Sequence, residues 1–265
     1  MPFDYDWEPQ EPDEPERMLT RSMAEPLPID ELLGKCRDRF HMVGVELEGA
    51  WTALPEGVTL ERDGSVGGFS VPNNVGELPS PPLPRRSLAN WMRRHYPDKV
   101  NKTCGLHVHM SFKSAQHYSW LMVPEFQATI KKYLRLWAIN KMGFQPGHQL
   151  YERLTGNNSF CLDQFWPDVQ AAARSKNYDH PADGPTRYTM IAYPFSLHST
   201  IECRVLPMFE DVKEAISAVN AVLDITNASL AFLGMANGGS RGEKPLGAVV
   251  ECDGTGVVEI NEELV

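Results

Sequence analysis

The stretch Cys104-Gly-Leu-His-Val-His-Met-Ser-Phe112 alternates so strictly that it leaves the chain few ways to fold. At the two-residue period of a strand, Cys104, Leu106, Val108, Met110 and Phe112 share one face, while Gly105, His107, His109 and Ser111 share the other. The first row belongs in a core, and the second carries two imidazoles. Two further stretches repeat the division. In Val43-Gly-Val-Glu-Leu-Glu48, Glu46 and Glu48 oppose Val43, Val45 and Leu47; in Thr200-Ile-Glu-Cys-Arg-Val-Leu206, Glu202 and Arg204 oppose Ile201, Cys203 and Val205. If these strands share one sheet under a layer of helices, two imidazoles, three carboxylates and a guanidinium meet on one open surface. A single Glu-x-Glu or His-x-His is a weak signal, because solvated strand faces often carry such pairs. Three on apolar-backed strands are a stronger one: half-buried charges need partners, and here they can partner only one another or a ligand.

The remaining periodicities supply the covering layer. Ile29, Leu32, Leu33, Cys36 and Phe40 are spaced as a short amphipathic helix leading into a strand over 41–48. Arg85–Tyr96 reads as a helix buried through Leu88, Trp91 and Met92, and Ser114–Met142 as a helical region broken at Pro124, because proline suits a first turn and not an interior. Asp211–Met235 is the largest candidate cover for the sheet, with Val212, Ile216, Val219, Leu223, Thr226, Leu230 and Leu233 at helical spacing. Between these lie Gly- and Pro-rich connections. Glu77 falls where three prolines in Pro79-Ser-Pro-Pro82 end an edge or short strand. A short helix is expected near Pro167–Arg174, a surface loop over 175–186, and a hairpin between strands 187–193 and 200–206. Ala248–Cys252 and Val257–Ile260 flank Asp253-Gly-Thr-Gly256 as a terminal hairpin.

The length of 265 residues suits one large domain. The formal charge of -10 is a property of the ends. Of 35 acids and 25 bases, residues 1–17 hold seven and one and residues 251–265 five and none, so 18–250 carry 23 and 24. No basic run dense enough for nucleic acid occurs. Residues 1–25, acidic and proline-rich, form an expected mobile tail, residues 26–238 the main domain, and residues 239–265 an acidic linker with its hairpin. Five scattered cysteines without a CxxC pair argue against a disulfide framework or a structural zinc site. No signal segment or membrane span is read, so a cytoplasmic setting is the default expectation.

Carboxylates with one or two imidazoles favour a hard cation, Mg²⁺ or Mn²⁺, over zinc, and nearby arginines favour an anion. Such a cation beside guanidinium groups suits a nucleoside triphosphate, whose phosphate charge both can neutralise. Neither GxxxxGK[ST] nor GxGxxG is present, so any nucleotide would bind through the sheet and its metals.

Taken in series, Gly44-Val-Glu-Leu-Glu48, Asp63-Gly-Ser65, Glu77 with Ser80-Pro-Pro82, Cys104-Gly-Leu-His-Val-His109, Arg153 with Asn157 or Asn158 and Cys161, Arg187-Tyr188 and Thr200-Ile-Glu-Cys-Arg204 resemble the amidoligase family of carboxylate-amine ligases, relatives of glutamine synthetase and glutamate-cysteine ligase. The resemblance runs from about Gly44 to the helix ending near Met235. It implies an α+β fold: a glutamine-synthetase-like, mainly antiparallel sheet with helices on one face and an open catalytic face. It also implies ATP with Mg²⁺ or Mn²⁺ as cofactors, and formation of an acyl phosphate followed by amine attack. On that pattern Glu46, Glu48, His109 and Glu202 hold metal. Arg204 and Arg187 serve both ATP and the carboxyl substrate, and His107 and Arg153 contribute to the nucleotide site. Glu77 receives the amine and its proton. The partners implied are a small-molecule or peptide carboxylate and an amine. A guanidino-kinase-like phosphotransferase, a metal hydrolase using His107 and His109 without ATP, and a non-catalytic interaction module that keeps the fold are the alternatives.

Overall fold

The computed structural model describes residues 28–70, 74–167, 169, 188–194, 199–238, 250–252 and 258–260. The expected tail, the 175–186 loop, Arg187 and most of the 167–174 helix lie outside these residues. The three alternating stretches do share a sheet. Strands β1 (Phe40–Ala50), β2 (Val75–Pro79), β3 (Gly105–Phe112), β6 (Ile191–Ala192) and β7 (Ile201–Pro207) form an open five-stranded sheet in the order β2-β1-β3-β7-β6, and every pairing is antiparallel. Two small hairpins stand apart from it: β4 (Asn157–Asn158) with β5 (Cys161–Leu162), and β8 (Val250–Cys252) with β9 (Val258–Ile260).

The apolar rows are buried as the alternation requires. Val43, Val45 and Leu47, all five members of the Cys104–Phe112 row, and Ile201, Cys203 and Val205 lie in one core cluster. Helices α1 (Arg85–His95), α2 (Ala115–Leu121), α3 (Pro124–Trp137) and α5 (Val212–Gly238) supply the opposing side. The register of α5 on the sheet is marked by Thr226, whose hydroxyl reaches Met110 Sδ at 3.4 Å. By length and composition α5 could cross a membrane, but its small and branched residues Ala215, Ala218, Val219, Val222 and Leu223 are buried. Pro124 occupies the first turn of α3, where its missing N–H is not needed, so the expected break falls between α2 and α3.

Two expectations are corrected. Residues 29–40 do not form a helix: a 3₁₀ turn over Pro28–Glu31 gives way to turns, with Gly34 in the left-handed region at φ 69°. Nor are the helices confined to the apolar side. The short helix α4 (Gln149–Arg153) closes on the ionisable side, bringing Arg153 Nη1 within 3.3 Å of where a Cβ on Gly105 would stand. That surface is therefore covered at its centre, with Glu48, His107 and Glu202 at 3%, 3% and 6% exposure. Such burial is tolerable because the charged groups partner one another.

Candidate metal centre

Register brings the ionisable groups together. Across β1 and β3, Glu46 stands opposite His107; across β3 and β7, His109 stands opposite Glu202; across β1 and the edge strand β2, Glu48 stands opposite Glu77. An irregularity in the β3–β7 pairing between Leu106 and Val108 sets Arg204 and Val205 together against the single residue His107. Arg204 still points to the ionisable side, where its Nη1 donates to Glu202 Oε1 at 2.5 Å.

Glu46 is the hub. Its Oε1 accepts from His109 Nε2 at 2.8 Å and its Oε2 from His107 Nδ1 at 2.8 Å. His107 also faces Glu202 Oε1 with Nδ1 at 3.2 Å and Glu48 Oε1 with Nε2 at 3.5 Å, so it lies among three carboxylates. Glu48 is pinned from behind, because the Gly105 N–H donates to its Oε2 at 2.5 Å. A side chain at 105 would meet His107 Nε2 at 2.8 Å, which is why this position is glycine.

Six of these side chains fall into two trios, each with one ligand atom per residue within 4.8 Å of the other two. The first is Glu46, His109 and Glu202; the second is Glu48, Asp63 and Glu77. Asp63 was legible only as part of an Asp-Gly-Ser turn. In the structure its Oδ1 accepts from the Ser65 N–H at 2.6 Å, and Asn101 and Thr103 tie the following Gly67 to the turn that precedes β3. Farther along the same loop and turn, Phe69, Lys99 and Asn101 line a groove of about 570 Å³ to which no residue of the two trios contributes.

The electrostatics separate the carboxylates. Burial works against ionisation of Glu46, but His109 and His107 outweigh it and hold this carboxyl well below the usual range. For Glu48 burial prevails over His107 and the Gly105 N–H, and the carboxyl is pushed up. Glu77 is pushed to about 9 by burial and then by the charges of Glu46, Glu48 and Asp63. His109 is opposed by burial yet raised by Glu46. An oxygen-rich group in which one member retains its proton to high pH is a site short of positive charge.

The arginines differ. Arg204 is held charged by Glu202 and Glu46 against its burial, and its buried Nε has no hydrogen-bond partner among the described residues. Arg153 lies at 5% exposure and donates to the carbonyls of Cys104, at 3.1 Å, and Arg204, at 3.4 Å. It thus braces the start of β3 against β7 and lends positive charge to Glu48.

In comparisons with known proteins, the chain matches no family model, no curated protein and no solved structure. The functional reading therefore rests on the centre just described.

Proposed function

We propose that the chain is an ATP- and divalent-cation-dependent ligase of the amidoligase type, on a glutamine-synthetase-like fold, which joins a carboxylate to an amine through an acyl phosphate. The observation that carries this reading is the pair of trios, Glu46–His109–Glu202 and Glu48–Asp63–Glu77, set side by side under a buried histidine and next to Arg204. Five of the six donors are carboxylates and one is an imidazole, a set that suits Mg²⁺ or Mn²⁺. The raised Glu77 carboxyl fits the same ions, because a bound cation would replace the proton that the crowded acids otherwise retain.

Two divalent cations held there would neutralise phosphate oxygens and the charge that develops during phosphoryl transfer. The chain's own groups do the rest. Arg204 is held by Glu202 through Nη1, which leaves its buried, unpartnered Nε as a donor for an anion such as the γ-phosphate or the carboxyl substrate. His107 keeps the two trios apart while linking them electrostatically, and Arg153 fixes the strand ends beneath it. Glu77 stands on the edge strand in the second trio, and once a cation has replaced its proton it can accept one from an incoming amine.

The deciding experiment supplies the purified protein with Mg-ATP or Mn-ATP and pooled carboxylates, amino acids, amines and short peptides, and follows ADP and phosphate. ADP formation that needs both a carboxylate and an amine is expected. Hydrolysis of esters or amides in nucleotide-free buffer, with no ADP from any mixture, would overturn the proposal in favour of a metal hydrolase.

A further inference from the structure

The two histidines of the centre are held differently. His107 turns both ring nitrogens towards carboxylates, whereas His109 turns Nε2 to Glu46 and Nδ1 to the hydroxyl of Thr200, at 2.9 Å. Thr200 comes just before β7 and is set by its neighbour. Ser199 adopts φ 50°, the one positive φ at a non-glycine residue among those described. Backbone of that kind persists where the surroundings over-determine it. Among the described residues Tyr118 of α2, at 2% exposure, holds it: its O–H donates to the Ser199 carbonyl at 2.9 Å while its oxygen accepts the Phe112 N–H at 2.9 Å. Its ring packs edge-on against Phe112, with centroids 5.0 Å apart. One tyrosine thus ties the end of β3 to the residue that introduces β7.

We infer that Thr200 is a positioning residue for the metal centre: braced by Tyr118 through Ser199, its hydroxyl holds Nδ1 of His109 so that Nε2 faces Glu46 and Glu202, and it accepts the Nδ1 proton when a cation takes the place of the proton on Nε2. The inference deepens the metal-site reading and rests on it. A histidine ligand works as one defined tautomer, and the partner of its second nitrogen decides which. The Thr200 hydroxyl can make that choice for His109, whereas among the described residues the ring nitrogens of His107 face carboxylates.

The test uses the full chain, Mn²⁺ alone as probe, and four proteins: wild type, Thr200→Val, Thr200→Ser and Tyr118→Phe. Calorimetric Mn²⁺ titration should show Thr200→Val losing about tenfold to a hundredfold in the affinity of one site, the usual effect of removing an outer-shell partner. Thr200→Ser, which keeps the hydroxyl, should recover affinity to near wild type, and Tyr118→Phe should show a smaller loss. Nitrogen-15 NMR with diamagnetic Mg²⁺ in place of Mn²⁺ should report the Nδ1–H form of His109 in wild type and Thr200→Ser, and a weakened or mixed form in Thr200→Val. Unchanged Mn²⁺ affinity in Thr200→Val, or a Thr200→Ser protein as weak as Thr200→Val, would overturn the role of Thr200 while leaving the metal site standing. A wild-type protein that binds no Mn²⁺ would overturn both.

Discussion

Glu48 and Glu77 face each other directly across β1 and β2, two carboxylates at one rung of an antiparallel ladder. Like charges so placed destabilise the pair unless a proton or a cation is shared between them. The raised Glu77 carboxyl states the consequence for stability. Between its ordinary value of 4.5 and about 9, the folded protein keeps a proton that the unfolded chain has lost, so stability falls as pH rises through that window. The raised His109 acts in the same sense above its ordinary value of 6.5, while the depressed Glu46 acts oppositely on the acid side and loses its contribution as pH falls below 4.5. In EDTA the melting temperature should therefore decline from about pH 6 to pH 9, and Mn²⁺ should flatten the curve. Glu77→Gln should flatten it without metal. A wild-type melting temperature that climbs with pH in EDTA across this range would contradict the charge-crowded centre.

Glu202 links His109, His107 and Arg204, so its loss should be felt as lost metal binding before lost folding. Glu202→Gln keeps the shape and removes the charge. We expect one Mn²⁺ site to weaken by about a hundredfold, the upper range for damage to a metal shell, with a melting temperature close to wild type in EDTA. Glu46→Ala should be worse on both counts, because two buried imidazoles lose their shared acceptor. Titration calorimetry paired with thermal melts distinguishes the two outcomes.

Arg204→Lys retains charge but replaces a planar fork with a point charge. A lysine keeps a positive charge near Glu202, whereas the Nε donor has no counterpart in it. Mg-ATP binding should survive, and turnover should drop about a hundredfold or more, the size seen when one preorganised donor is removed. Loss of Mg-ATP binding with turnover unchanged at saturating ATP would show that Arg204 acts in the ground state alone.

For Arg153 the expected effect is structural. Its guanidinium is nearly buried, and two strand-end carbonyls, those of Cys104 and Arg204, accept from it. Arg153→Met leaves both acceptors without that partner and should cost about 2–3 kcal/mol in urea unfolding, the range for hydrogen bonds to charged groups. Should stability be unchanged while ATP affinity falls, Arg153 would be a nucleotide contact and not a brace.

The sequence by itself determined which side of each strand is core and which is chemical, because alternation is a local property carried by consecutive residues. It also placed the break at Pro124 and the long helix, expected over 211–235 and found over Val212–Gly238. Tertiary structure alone decided how those faces meet. Asp63 joins Glu48 and Glu77 from a loop without periodicity, and Thr200 reaches His109 across 91 residues of chain. Strand order and register set both relationships, and these depend on contacts between segments remote from one another. The depth of the site was decided there too. A row of charges reads as an open face when each strand is taken singly; once Glu46, His107 and Glu202 interlock, with Arg153 closing over Gly105, the same row can be buried without an unpaired charge. The local pattern likewise suggested a helix over 29–40, which a left-handed Gly34 and the path into β1 overrode, because the weak propensity of a short segment yields to the position the sheet requires of its end.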